Sequence, residues 1–171
     1  MCLVRVVNSL FSSTGDWDNQ LEAAALGWPG FFATLRIYLT HFRGQRSALM
    51  QFVAPVAGTE AQAWDALTAA LGVKGLRVGE HWTAPSGAPA GSGVVEYVTE
   101  GPYDALLQLD KPGPGVAAVG AFNCGGDQSM AALNFYHYGD QATETVARET
   151  PLWQAWIQER LPMPAEPRES E

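Results

Sequence analysis

Between Leu76 and Tyr138 short apolar segments alternate with clusters of glycine, proline and aspartate, and this punctuation constrains the fold more than any other feature of the chain. Leu76 to Thr83, Val94 to Thr99, Tyr103 to Leu109, Val116 to Asn123 and Ser129 to Tyr138 each read as a strand. Between them stand the small-residue run Pro85 to Gly93, the pair Gly101-Pro102, the stretch Asp110 to Gly115 and the turn Gly125-Gly126-Asp127. Glycine supplies positive φ and proline presets φ for a turn, and neither supports a continuous ladder. Breakers this closely spaced leave room for hairpins but not for crossover helices, so the strands are expected to run antiparallel. The same residues exclude a long coiled coil, because they break any sustained heptad run.

The flanks of this meander complete an architecture. Met50 to Val56 reads as a strand, and Gly58-Thr59-Glu60 then opens a helix. Thr59 is its expected N-cap and Gln62 sits three residues on, the spacing of a capping box. Trp64, Leu67, Ala70 and Leu71 supply its apolar face, and Gly72 ends it. A last helix, Thr143 to Arg160, carries Val146, Leu152, Trp153, Trp156 and Ile157, with Pro151 expected to start or kink part of it. Strand, helix, antiparallel meander and long C-terminal helix make an α+β layout in which a curved sheet wraps a helix. Upstream, Leu3 to Phe11 reads as an extra strand and Trp17 to Leu26 as a short helix that Gly27-Trp28-Pro29-Gly30 interrupts. Trp28, Phe31, Phe32, Leu35, Tyr38, Leu39 and Phe42 then recur at i, i+3, i+4 and i+7, an aromatic stripe on a second helix that Gly44 stops.

Charge and motif content exclude several functions. The chain has 171 residues and a net charge of −8, which argues against nucleic-acid partners and anionic membrane surfaces. No window approaches the roughly 20 apolar residues of a membrane span, and no apolar segment precedes a small-residue cleavage site, so a cytoplasmic location is expected. Cys2 and Cys124 show no zinc-knuckle or CxxC spacing and read as reduced thiols. The three histidines form no HxH or HExxH pattern, so no metal and no cofactor is expected. Ser129 and Cys124 lack a nucleophile motif, and the glycine clusters match neither GxGxxG nor a Walker sequence. Glu96 or His137, placed in a cavity, could serve acid–base chemistry.

The order of elements, with Val53-Ala54-Pro55 followed by Ala63-Trp64-Asp65-Ala66-Leu67-Thr68, resembles the START / polyketide-cyclase / birch-pollen-allergen superfamily of helix-grip proteins. Within it the chain looks most like the Ahsa-type branch, homologues of the activator of a heat-shock chaperone ATPase. Val4 to Ser9 resembles that family's last strand, and Gly27-Trp28-Pro29-Gly30-Phe31-Phe32 with Leu35, Tyr38 and Leu39 its closing helix. The resemblance therefore implies that residues 1–45 are the end of a first domain, 48–161 a second copy, and 162–171 a disordered tail.

It also implies a cavity between the sheet and the C-terminal helix that holds a small hydrophobic molecule without catalysis. Tyr97, Phe122, Asn134, Tyr136 and Trp153 are its expected lining. Two other readings stand beside this one. A cyclase- or hydrolase-like enzyme would bring two titratable groups together in the cavity. A chaperone-associated or stress-related interaction module would have a filled core and an exposed Trp28–Phe42 helix, through which a homodimer could also form.

Overall fold

The computed structural model describes residues 18–100, 103–123 and 128–161, together with Arg5 and Val7. Apart from Arg5 and Val7, the strand expected at Leu3 to Phe11 lies outside the described residues, as do both cysteines, the Gly101-Pro102 and Gly125-Gly126-Asp127 turns and the C-terminal tail. The elements follow as α1 (Asp18–His41), β1 (Ser47–Ala57), α2 (Glu60–Leu71), β2 (His81–Thr83), β3 (Ser92–Glu100), β4 (Tyr103–Lys111), β5 (Gly115–Asn123), β6 (Gln128–Tyr138) and α3 (Ala142–Arg160). The six strands form one sheet in the order β1-β6-β5-β4-β3-β2, and every neighbouring pair is antiparallel. The fold is the α+β helix grip, with β6 carrying the chain back beside β1 and α3 lying across the sheet.

Hairpin chemistry and capping account for the local structure. Thr59 and Gln62 form the capping box: the Gln62 N–H donates to Thr59 Oγ1 at 3.3 Å and the Thr59 N–H donates to Gln62 Oε1 at 2.8 Å. Gly72 closes α2 in the left-handed conformation, at φ +69°. The strand expected from Leu76 is shorter than its sequence suggested and begins only at His81. Gly75 and Gly79 adopt φ of +82° and +89°, and the residues between make turn bonds such as Glu80 N–H to the Arg77 carbonyl at 3.0 Å. Two left-handed glycines four residues apart hold this segment in turns, and it joins β3 only at its end, where the Gly79 N–H donates to the Val95 carbonyl at 2.8 Å and the Val95 N–H to the Glu80 carbonyl at 3.0 Å.

Both long helices run through their prolines. α1 is continuous from Asp18 past Pro29, and α3 is continuous past Pro151. Each proline forfeits one backbone bond to the residue four earlier. In α3 that loss falls on an exposed turn, while Thr145 and Glu149 before it and Trp153, Trp156 and Ile157 after it are all buried along one face. Packing on both sides of the proline fixes the axis.

The sheet is covered on both faces. On the inner face α2 and α3 bury Trp64, Leu67, Leu107, Val119, Phe135 and Trp153 in one core. Trp153 has no exposed surface and packs against Phe135 with ring centroids 4.7 Å apart. On the outer face α1 builds a second, smaller cluster from Ile37, Phe42, Leu106, Val116 and Tyr138. The helix seats on this face through Gly30, Ala33 and Ile37 more than through its bulky Phe31 and Leu39: Ile37 is 2% exposed, whereas Phe31 and Leu39 are 55% and 49% exposed. Close approach explains the rotation. A methyl group at Gly30 would overlap the Asp104 carboxylate of β4, so the small residues of α1 face the sheet.

Candidate functional site

Between α1 and the outer sheet face lies an open cleft of about 520 Å³. α1 supplies one wall through Gly30, Phe31, Thr34, Leu35 and Tyr38. Leu106 of β4 and Ala118 of β5 form the floor, Tyr136 and Tyr138 of β6 the far wall, and Gln45 and Ser47 the rim. Small and medium residues on the middle strands give this depth. Ala118 and Gly120 share the outer face of β5, so no large side chain fills the space beneath the helix.

Asp104 is the carboxyl group of the cleft, and it makes no ion pair among the described residues. Burial raises its pKa to about 6, against the lowering effect of the Ala105 backbone. The same carboxylate adds to burial in raising the pKa of Tyr97, and burial together with Tyr136 and Tyr38 raises that of Tyr138. Tyr138 stacks on Phe42 at 4.4 Å and meets Tyr38 at 5.6 Å. The Tyr38 hydroxyl accepts from the Gly44 N–H at 3.2 Å, and the Thr34 hydroxyl donates to the Gly30 carbonyl at 3.0 Å. The cleft is thus an aromatic cage with one isolated acid.

The five residues expected to line one cavity are divided between the two faces of the sheet. Tyr97 and Tyr136 pack against the α1 cluster. Asn134 shares the outer face of β6 with Tyr136, and its buried Oδ1 has no hydrogen-bond partner. Phe122 follows the alternation of Ala118 and Gly120 onto the same face and is 41% exposed. Trp153 alone lies between the sheet and α3. The correction has a simple origin. Residues 134 and 136 of β6 point away from residues 133, 135 and 137, and the odd-numbered set faces α3.

The inner interface also holds polar groups. His137 is buried with neither ring nitrogen hydrogen-bonded, and the Nε1 atoms of Trp153 and Trp156 are likewise unpartnered. Burial lowers the His137 pKa, opposed by the Pro114 and Gly113 backbone and by the Glu149 carboxylate. Glu149 itself is buried and bonded to Arg148 Nε at 2.8 Å. Glu96 lies on β3, away from this group. Among the described residues no cluster of His, Cys, Asp and Glu could hold a metal ion, and no helix is long and apolar enough to cross a membrane.

No family model and no curated protein sequence matches the chain. Similar solved structures include norcoclaurine synthase from Thalictrum flavum, 12% identical over 92% of this chain and 95% of that one, with a TM-score of 0.47. The ginseng (Panax ginseng) major latex-like protein 151 is 9% identical over 68% of this chain and 99% of that one, at a TM-score of 0.43. The ZhuI aromatase/cyclase from Streptomyces is 11% identical over 67% of this chain and 87% of that one, at 0.39.

Asp104 was missed by sequence reasoning, yet it had a signal. It is a single charge in Tyr103-Asp104-Ala105-Leu106-Leu107, the first half of β4, whose other four residues are apolar or aromatic. A charge in such a strand must face water, a partner or a cleft.

Proposed function

We propose that the chain is a non-catalytic binding domain for a small, mainly apolar ligand, held in the cleft between α1 and the outer sheet face. The observation that carries this reading is the cleft itself, about 520 Å³ with an apolar floor and one unpaired carboxyl group. Small-molecule sites have this size and this sparse polarity. Asp104 suggests the ligand's chemistry. An amine would pair with the ionised carboxylate and lie against the faces of Phe31, Tyr38 or Tyr136, where cation–π attraction adds to the charge pair. The favoured ligand is therefore an apolar or aromatic body with one basic nitrogen. A single carboxyl among tyrosine hydroxyls favours binding over acid–base catalysis, which calls for a second titratable group of matched pKa.

The test compares benzylamine with benzyl alcohol, matched in size and differing in charge, by calorimetry at pH 7.5. Benzylamine should bind more tightly, Asp104→Asn should abolish the difference, and Ala118→Trp, which fills the floor, should weaken both. No binding of either probe, or binding unaffected by Ala118→Trp, overturns the reading.

A second reading keeps the ligand between the sheet and α3, and the unpartnered nitrogens of His137, Trp153 and Trp156 favour it. In that case Trp153→Phe weakens binding and Ala118→Trp does not. The helix-grip fold and the Val53-Ala54-Pro55 motif support membership of the START / polyketide-cyclase / birch-pollen-allergen superfamily. The Ahsa-type branch, with residues 1–45 as the end of a preceding copy, is part of the same proposal.

A further inference from the structure

We propose that the open edge of β1 pairs with β1 of a second copy of this chain, antiparallel and centred on Gln51. Among the described residues β1 is the outermost strand at one side of the sheet. The opposite edge is closed off differently: β2 has only three residues, and its Trp82 indole donates to the Leu71 carbonyl at 2.7 Å. β1 has eleven residues, Ser47 to Ala57, and not one is charged. Exposed edges are ordinarily kept short or guarded by lysine and by inward-pointing charge. In a chain of net charge −8, this edge is also a place where two copies meet without direct charge repulsion.

The backbone phase is fixed by the ladder. The Gly139 N–H donates to the Arg46 carbonyl at 3.2 Å, and Ser47 stands opposite Tyr138. Bonding alternates along an antiparallel pair, so the even-numbered residues of β1 bond to β6. The odd-numbered residues Ser47, Leu49, Gln51 and Val53 direct their N–H and C=O groups out of the sheet. Pro55, which has no N–H, falls in that outward series, where no bond to β6 is lost.

The side chains of the same residues are self-complementary. A two-fold axis at Gln51 sets Leu49 opposite the partner subunit's Val53, and Val53 opposite the partner subunit's Leu49. These are the exposed large apolar residues of β1, at 47% and 46%. Gln51 meets its own copy, and two amides can exchange hydrogen bonds. Pro55 then falls opposite Ser47 at both rims, where the missing donor costs one bond at each end. Moving the axis to Phe52 would bring Pro55 inside the ladder opposite Leu49.

The experiment is sedimentation velocity on the full chain over a range of concentrations, with light scattering for mass. The expected result is a dimer. Leu49→Lys and Val53→Lys should each raise its dissociation constant by roughly tenfold or more. The double variant L49K/V53E should recover dimerisation, because the new charges face each other twice across the axis. Unchanged far-UV circular dichroism and melting separate lost pairing from lost folding. A monomer at every concentration overturns the proposal, including one whose Gln51 amide is protected from exchange because another part of the chain covers the edge. So does a dimer indifferent to both lysines, which would assemble elsewhere, for instance through Phe31 and Leu39 of α1. A double variant no better than its single parents overturns the register.

Discussion

Replacing Asp104 by Asn should make the protein more stable in mild alkali and leave it unchanged in acid. The Asp104 carboxyl lies under α1 against Gly30, and burial raises its pKa from 3.8 to about 6. Because the folded value exceeds the unfolded one, the fold binds this proton more tightly than the unfolded chain does. That contribution is complete below about pH 4 and is lost as pH rises through 6. One pKa unit corresponds to about 1.4 kcal/mol, so the full displacement is worth about 3 kcal/mol. Asp104 remains partly open to the cleft, and solvent screening reduces the figure to about 1–2 kcal/mol. Asparagine matches the protonated acid in shape and never ionises. At pH 8 the variant should therefore exceed the parent by about 1–2 kcal/mol, or roughly 2–8 °C in Tm for a chain of this length. Urea titrations of both proteins at pH 4 and pH 8 give the double difference, in which all other titrating groups cancel. No gain at pH 8, or an equal gain at both pH values, would refute the argument.

Three further outcomes are expected. His137 acts with the opposite sign: its folded pKa is lowered by burial, so the stability it permits is present above its ordinary value of 6.5 and is lost as pH falls below it. His137→Leu should therefore blunt the loss of stability between pH 7 and pH 5, read from urea midpoints at the two values. Trp153→Ala removes a side chain with no exposed surface and should cost about 3–5 kcal/mol, enough to leave much of a marginal domain unfolded by circular dichroism. Thr59→Ala removes the hydroxyl that accepts from the Gln62 N–H, leaves the bond from the residue 59 N–H to Gln62 Oε1 available, and should cost about 1 kcal/mol in the same titrations, with no effect on probe binding in the cleft.

The elements were legible in the sequence because their signals are local. Thr59 with Gln62, the turns within Pro85–Gly93 and Asp110–Gly115 and the apolar spacing of the last helix each act within a few residues, and each recurs in the structure. The choice of sheet face was not legible. A strand covered on one side shows polar residues on the other, but β6 is covered on both. Leu133, Phe135 and His137 face α3 while Asn134, Tyr136 and Tyr138 face outward, and both sets contain aromatic and polar members. Period two reveals that the sets differ and carries no sign to tell which is inside. The sign comes from α1, a helix far upstream in sequence whose packing partner no local pattern names. Its Gly30 and Ala33, small residues between large aromatic ones, were the available trace of a close approach to a sheet.

The cleft and the β1 edge are neighbours, and that limits which substitution can test which. Leu49 stands opposite Tyr136 on the outer face, and Tyr136 is a wall of the cleft. A lysine at position 49 therefore adds a positive charge beside the Tyr136 wall of the cleft, and it should weaken benzylamine binding as well as dimerisation. Val53 stands opposite Ala132, off the cleft wall but in the row that crosses β6 and β5 to Asp104, three strand spacings or roughly 14 Å away, where solvent screens most of a charge. Val53→Lys should disrupt the dimer and leave the affinity of the isolated protomer for benzylamine within about twofold, a difference well under 1 kcal/mol. If binding falls equally in both variants, the cleft depends on the second copy, and its far wall is completed by the partner subunit's Val53 beside Leu49. If it falls only in Leu49→Lys, the two surfaces are independent and the loss arises at the Tyr136 wall. Repeating the Leu49→Lys titration in 0.5 M salt decides between charge and contact. At that ionic strength the screening length is about 4–5 Å, so a charge effect across the cleft should largely vanish while a missing wall would not return.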